Sequence, residues 1–531
     1  LPTTQVPTLA ANLPQLDADF SAAPPRRYFV FWPCFWLAVM LCATKAMHPG
    51  DPSAEGELAW KEWLFDYLIF IHADLIFVLV IGVIWQILLA LFARRAKLAQ
   101  VVWRAGLIVF VGCALYAVIS VPVFENLGTP LTYPLLHVAG NVGNMRSSLA
   151  AYMTFKLVAA IVVVPIGFAL LVWCCNRVVP MRRALIRRSV IALCTAAIVT
   201  NGIYAHREYE VWSSRDDRAI ADNPHWVLLS TTCKEFVQSD VATLHEDYPP
   251  EFAREFAPPP ARLASAKLPG VQMNVIVVVL ESVAAKYLSV YGAPYEATPQ
   301  LHAEASNSLI VENVHSHVGM TANSLVSMLL GVYPPITWRQ LTRDRPDYPG
   351  TSLAQVMHDA GYRTAYITSA DIGYVSTDKF LKNRGFDVID DVNSMGAPYS
   401  FSWGTEDRYM IDGLLRFIDA DHTRPFFAMT WTQQTHHPYS ASPDQPEIDF
   451  STAEPSGDPY HLGQYLNALH ESDRQIGRLI GALRERKLDQ QTMIVVVGDH
   501  GEAFGWPHLT FAHGARVYEE NLHVPFIVWC P

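Results

Sequence analysis

Cysteine is scarce in this chain of 531 residues. Six of its eight cysteines (Cys34, Cys42, Cys113, Cys174, Cys175 and Cys194) lie in or beside apolar runs. Only Cys233 and Cys530 stand elsewhere, and no Cys-x-x-Cys pair occurs. That excludes a thiolate zinc framework and a scaffold built on disulfides. One bridge between Cys233 and Cys530 stays open, as does a pair of buried free thiols. Charge is scarce in the first 206 residues, which carry 15 Lys/Arg and 9 Asp/Glu, against 24 and 41 in residues 207–531. The later part thus lacks the clustered basic surface that a phosphate backbone demands, which excludes nucleic acid as a partner. Internal repeats and low-complexity tracts are absent as well.

What is abundant is apolar sequence, 51% of all residues. Runs near 28–47, 64–92, 105–123, 157–175 and 189–204 approach or exceed the roughly 20 residues that cross a bilayer as a helix. Five transmembrane helices are expected over residues 1–206, the last of them borrowing Ala184 to Ile186. Arg26 and Arg27, then Arg94, Arg95, Lys97 and Arg104, then Arg177, Arg182, Arg183, Arg187 and Arg188 flank alternate turns of the chain. By the positive-inside rule these mark the cytoplasmic side, placing the N-terminus inside and everything after the fifth span outside. Four further spans follow the first and no small-residue cleavage site closes it, which argues against a signal peptide. Asp66, His72 and Asp74 fall toward the outer end of the second run and are expected at the interface, within reach of water. The chain starts at Leu1 rather than Met, and Pro531 follows directly on a strand-like run, so both ends read as truncated.

Residues 207–271 turn polar and proline-rich and read as a juxtamembrane linker with short helices on the membrane surface. Beyond them, β-rich apolar runs at 274–280, 363–368, 425–432, 492–497 and 524–529 alternate with helical patterns at 352–360 and 462–486. Continuous apolar strands imply a sheet covered on both faces. The alternation predicts an α/β domain over 272–531 with a doubly wound, mostly parallel sheet, whose ligands bind beyond the carboxyl ends of the strands.

Glu281 follows the first of these runs, and Asp499 with His500 follows the fourth. Carboxylate and imidazole without thiolate suit Zn²⁺ or Mn²⁺, ahead of Mg²⁺. Each residue alone is as readily a solvated strand end or a turn. Thr321 opens a helical pattern in H-V-G-M-T-A-N-S-L at 317–325. It could be an ordinary N-cap. The same place offers backbone N–H groups and a positive dipole end to a phosphate or sulfate, and a nearby metal would activate the hydroxyl. T-H-H-P-Y at 435–439 and F-A-H-G at 511–514 add three histidines, His436, His437 and His513, whereas His302, His358 and His470 on helical patterns read as surface or core.

Together these pieces resemble the sulfatase-like branch of the alkaline phosphatase superfamily. The resemblance runs through N-V-I-V-V-V-L-E-S, Y-G, A-T-P-Q-L, G-V-Y-P, A-G-Y-R-T-A-Y, G-D-H-G-E and Y-E-E-N-L-H-V-P-F in that order. The apolar first part looks like the membrane halves of lipoteichoic acid synthases and phosphoethanolamine transferases. The resemblance implies that Glu281, Thr321, Asp499 and His500 form a metal site in which Thr321 is ligand and nucleophile. It further implies that His436 and His513, and more weakly His437, bind substrate or a second metal. True sulfatases carry Cys or Ser in C/S-x-P-x-R, matured to formylglycine. Here Thr321, Asn323 and Leu325 occupy the three fixed positions, and threonine cannot yield formylglycine.

The implied activity is transfer of a phosphoethanolamine or phosphoglycerol headgroup from a membrane phospholipid to an envelope glycan or lipid through a phosphothreonine. The implied setting is the bacterial inner membrane, with the catalytic domain periplasmic or extracellular. Two cysteines cannot supply the several disulfides common among phosphoethanolamine transferases, which leaves the headgroup open. A hydrolase of sulfate or phosphate esters is the alternative enzyme, and a catalytically dead sensor or lipid-presenting protein the alternative class.

Overall fold

The computed structural model describes residues 30–46, 59–139, 145–178, 184–213, 218–237, 272–334, 339–450, 459–508, 510–514 and 516–531. Two compact units result: Leu1–Tyr116 with Val162–Arg207, and Ala117–Ile161 with Glu208–Pro531. In chain order the first helices are α1 (Phe31–Ala46), α2 (Ala59–Leu91), α3 (Ala96–Leu127), α4 (Tyr133–Ala139), α5 (Arg146–Tyr152), α6 (Phe155–Val178) and α7 (Ala184–Arg207).

Among the described residues, four helices are long and apolar enough to cross a membrane: Trp63–Leu91, Ala96–Glu125, Phe155–Val178 and Leu185–Arg207. The first apolar run forms α1, 16 described residues, which is short of the roughly 20 that a span needs. The residues expected to extend it lie outside the described ones.

Asp74 is not at a wet interface as its position in the run suggested. It is completely buried within the helical unit, with Oδ2 2.9 Å from Nζ of Lys45 on α1. Lys45 also donates to the Phe70 carbonyl at 2.7 Å. A carboxylate among apolar helices persists only where a cation compensates it, and the two residues come from different helices, which no reading of one helix reveals. Removing one partner strands a buried charge, so Asp74→Ala is expected to cost about 3–5 kcal/mol of stability in detergent. The double replacement Lys45→Met/Asp74→Leu should cost less than the two single changes summed. Denaturant melts of the three variants test this; additive losses would mean the pair carries no coupling.

In the second unit α8 (Tyr209–Trp212) and α9 (Pro224–Val237) precede an α/β fold. Its elements run β1 (Asn274–Leu280), α10 (Pro299–Ala303), β2 (Ser308–Ile310), α11 (Thr321–Leu330), α12 (Leu341–Asp344), α13 (Leu353–Asp359), β3 (Arg363–Thr368), α14 (Thr377–Leu381) and β4 (Val388–Asp390). There follow α15 (Asp407–Asp419), β5 (Phe426–Trp431), α16 (Pro459–Glu485), β6 (Thr492–Gly498), β7 (Ala503–Phe504), β8 (Phe511–Ala512), α17 (Glu519–Leu522) and β9 (Phe526–Trp529).

Seven strands form one sheet in the order β2-β9-β6-β1-β5-β3-β4. β6, β1, β5, β3 and β4 pair in parallel, and β9 runs antiparallel to β6 and β2. Alternation along β1 sends Ile276, Val278 and Leu280 into a core shared with Leu466, Leu469, Ile476 and Leu483 of α16. Val279 faces the other way, toward Leu325, Val326 and Leu329 of α11 and Phe427 and Met429 of β5. Both faces are therefore covered, which is why these strands read as unbroken apolar runs. Both ends of α13 are defined locally: the Ser352 hydroxyl accepts the Gln355 N–H at 2.9 Å to start it, and Gly361, at φ +90°, follows its end.

Cysteine pairing differs from both possibilities left by the sequence. None of the eight is in a disulfide, and Cys233 and Cys530 are exposed rather than bridged or buried. They sit on separate elements, Cys233 on α9 and Cys530 just past β9, and each faces solvent.

Candidate active site

Parallel pairing brings the carboxyl ends of β1, β5 and β6 to one edge, and register decides which residues meet there. Leu280 pairs with Gly498, so the next residues, Glu281 and Asp499, lie side by side. Gly498 and Gly501 frame Asp499 and His500 because backbone passes too close for a Cβ. One added at 498 would lie 2.6 Å from the Val283 carbonyl, and one at 501 would lie 2.2 Å from that of Glu520. Ser282, the residue after Glu281, adopts φ +58°, a strained conformation for a non-glycine residue. There its N–H donates to Asp499 Oδ1 at 2.8 Å and its hydroxyl to Glu281 Oε1 at 3.1 Å.

Thr321 is not the N-cap of α11. Met320 takes that position, and Thr321 is the first helical residue, its hydroxyl 3.0 Å from Glu281 Oε1 and 3.2 Å from His500 Nε2. The helix start is moored by Ser324, whose hydroxyl donates to the Asp499 carbonyl at 2.9 Å. His500 Nδ1 lies 3.0 Å from the Gly501 carbonyl. A carbonyl only accepts, so Nδ1 carries the proton and Nε2 presents its lone pair to Thr321.

Ligand-type atoms of Glu281, Asp499 and His500 all lie within 4.8 Å of one another, and all three residues are buried. Asp499 Oδ1 accepts two backbone N–H groups, at 2.8 and 2.7 Å, while its Oδ2 is buried without a hydrogen bond. A buried carboxylate oxygen left without a donor is costly unless a cation meets it. The donor set, two carboxylates and an oriented imidazole with a hydroxyl alongside, fits a divalent metal of the zinc type.

Protonation follows from the same crowding. Burial pushes the Asp499 carboxyl well up, and the neighbouring Glu281 charge adds to it. Burial would raise Glu281 too, but His500, His436 and His513 and the Trp431 indole outweigh it and hold it below the usual range. That indole donates to Glu281 Oε2 at 2.9 Å. Burial, then the charge of His513, lowers His500 to about 4, so it is neutral at physiological pH.

The three further histidines separate. The His513 ring lies tilted beside that of His500, 4.1 Å between centroids, with His436 5.9 Å from His513. His513 Nδ1 meets Glu502 Oε2 at 2.6 Å. Burial opposes its charge, yet the Glu502 carboxylate wins and raises its pKa. His436 Nδ1 donates to the His437 carbonyl at 2.9 Å, leaving Nε2 as its acceptor. His437 turns away and stacks on Tyr152. Sequence reasoning missed Glu502, although it stands in G-D-H-G-E; its other oxygen accepts the Tyr439 hydroxyl at 2.7 Å. Asn323 and Leu325 have packing duties: Asn323 ties Arg339 and Leu341 backbone at 2.9 Å each, and Leu325 is in the core. His302 and His358 pair with surface carboxylates, and His470 meets the Ala297 carbonyl.

Residues 273–531 match the sulfatase family model. Phosphoglycerol transferase I of Xanthomonas axonopodis pv. citri (strain 306) is 31% identical over 217 residues, 38% of this chain and 30% of that protein. Phosphoglycerol transferase I of Escherichia coli (strain UTI89 / UPEC) is 24% identical over 275 residues, 49% of this chain and 34% of that protein. The chain thus spans about a third of the length of these curated relatives. Among solved structures, the integral membrane protein lipooligosaccharide phosphoethanolamine transferase A from Neisseria meningitidis superposes over 95% of this chain and 88% of its own. Its TM-score is 0.54 at 16% identity, so the two share a fold. The stretch that matches the sulfatase family model is the stretch that folds into the seven-stranded sheet.

Proposed function

We propose that the protein transfers a phosphoryl headgroup, phosphoethanolamine or phosphoglycerol, from a membrane phospholipid to a hydroxyl of an envelope glycan or lipid, by way of phospho-Thr321. The observation that carries this is the Thr321 hydroxyl at the first turn of α11, between Glu281 Oε1 and His500 Nε2. Glu281, Asp499, His500 and Thr321 would hold a divalent metal, Zn²⁺ or Mn²⁺. Such an ion acidifies a hydroxyl and neutralises charge on transferred phosphoryl oxygens. The Thr321 oxygen bonds to phosphorus, its proton passing to Glu281 Oε1, to which the hydroxyl donates, as the ester bond to diacylglycerol breaks. His513, whose pKa Glu502 raises against the effect of burial, is suited to give the departing oxygen its proton. In the second step the acceptor hydroxyl attacks phosphorus and loses its proton to the same group, and Thr321 leaves, its hydroxyl restored by the proton that Glu281 took in the first step. Backbone N–H groups at the start of α11 face the developing charge. His436 offers Nε2 to substrate or to a second metal, and His437 serves the loop beside it.

The apolar helices suit a donor that is itself a membrane lipid. In this reading the first apolar run is the first of five spans, the N-terminus is cytoplasmic, and the α/β domain faces the periplasm or the cell exterior.

The test is turnover of mixed phospholipid vesicles by the full chain with Zn²⁺ or Mn²⁺, analysed by lipid mass spectrometry, with and without an added glycan. Diacylglycerol and a headgroup-bearing acceptor are expected. Release of nitrophenol from an aryl sulfate or phosphate without any diacylglycerol would sink the transferase reading in favour of a hydrolase.

A further inference from the structure

Residues 145–152 lie in the chain between helices of crossing length, yet they belong to the same compact unit as the sheet. Ser148 Oγ accepts the Trp403 indole N–H at 2.9 Å and donates to the His437 carbonyl at 3.2 Å. That carbonyl is the one that takes His436 Nδ1–H at 2.9 Å, and the Trp403 ring lies 4.8 Å from the His436 ring. Tyr152 stacks flat on His437, 4.7 Å between centroids with 2° between planes. Next to Ser148, Ser147 exchanges backbone-to-hydroxyl hydrogen bonds with Ser402 at 3.1 and 3.2 Å, and their hydroxyls meet at 2.5 Å.

His436 stands on a loop beyond β5, where no ladder of strand hydrogen bonds fixes it. Besides the His513 ring, its ring meets one carbonyl and one indole, and Ser148 holds both of these. We infer that Ser148 and Tyr152 are positioning residues for the reaction, clamping the loop 435–439 and Trp403 so that His436 Nε2 points into the site. This rests on the transferase reading above. The active site then draws on two stretches of sequence some 250 positions apart. An imidazole held through a fixed partner keeps its reactive nitrogen in place. A shift of about 1 Å in a reacting group costs about 100-fold in rate.

The test uses the full chain in detergent with phosphatidylethanolamine and phosphatidylglycerol vesicles. Ser148→Ala and Tyr152→Leu are expected to lower kcat by about 10–100-fold with KM for donor lipid, zinc content and melting temperature unchanged. Tyr152→Phe keeps the ring stack and should restore wild-type kcat. Wild-type kcat in both Ser148→Ala and Tyr152→Leu would overturn the inference, and so would a raised KM at constant kcat, which is the mark of a donor contact. Where a variant melts early, Ser147→Cys/Ser402→Cys replaces it: an oxidised cross-link with activity retained is the expected result. Absence of the cross-link, or activity lost on oxidation and regained on reduction, would overturn the clamp. No turnover by the wild type itself would overturn the transferase reading, and this inference with it.

Discussion

Thr321→Ala should lower phospholipid turnover by about 10⁴-fold or more and abolish any covalent headgroup adduct, with metal content reduced but the fold intact. The expectation follows from where the hydroxyl sits. Thr321 is the first residue of α11, and its side chain contributes nothing to capping that helix, so removing it spares local structure. Its oxygen lies within 3.2 Å of both Glu281 Oε1 and His500 Nε2, whereas the neighbouring Ser282 hydroxyl meets Glu281 Oε1. Thr321→Ser keeps an oxygen at the same place and should keep measurable turnover. Intact mass of wild type, Thr321→Ala and Thr321→Ser after exposure to donor lipid checks this. A headgroup-sized adduct on the alanine variant would remove Thr321 from the mechanism.

The second large effect concerns Asp499. Its carboxyl is pushed well above the usual range by burial and by Glu281, so without metal it keeps its proton to a higher pH than an ordinary carboxyl, and below that pH a cation must displace it. Zinc affinity should therefore rise about tenfold per pH unit until the raised Asp499 value is passed, and level off above it. Glu281 is already ionised below this window, and His500, lowered to about 4, adds a slope only in more acidic solution. Asp499→Asn removes both the ligand and the proton: affinity is expected to fall by at least about 100-fold, and the pH dependence to disappear over the same range. Calorimetric titration of Zn²⁺ in two buffers of different ionisation enthalpy reads the protons released. A wild-type titration without proton release would overturn the assignment.

Much of the fold could be read along the chain because strands buried on both faces are nearly continuous apolar runs. The ranges read for β1 and β3 coincide with the structure, and those for β5, β6 and β9 differ by one or two residues at their ends. β2 and β4 escaped notice, since three residues each are too few to show any period. α15 also went unread, although Met410, Ile411, Leu414, Phe417 and Ile418 mark its buried face at helical spacing. Interfacial placement of Asp74 failed for a different reason: its partner, Lys45, is on another helix.

Sequence alone determined which residues could do chemistry, because a ligand that follows a strand is adjacent to it in the chain. Glu281 after β1 and Asp499 with His500 after β6 are of this kind, and so is Thr321 at the start of a helix. Tertiary structure alone decided what those residues meet. The pairing of Leu280 with Gly498 sets Glu281 against Asp499, and the strained turn at Ser282 aims a donor at both. Glu502 gives His513 its proton affinity across a hairpin, and Ser148 reaches Trp403 and His437 from a distant stretch of sequence. Local pattern carries the identity of a donor or acceptor. Orientation and protonation come from neighbours that only the folded chain brings within hydrogen-bond distance.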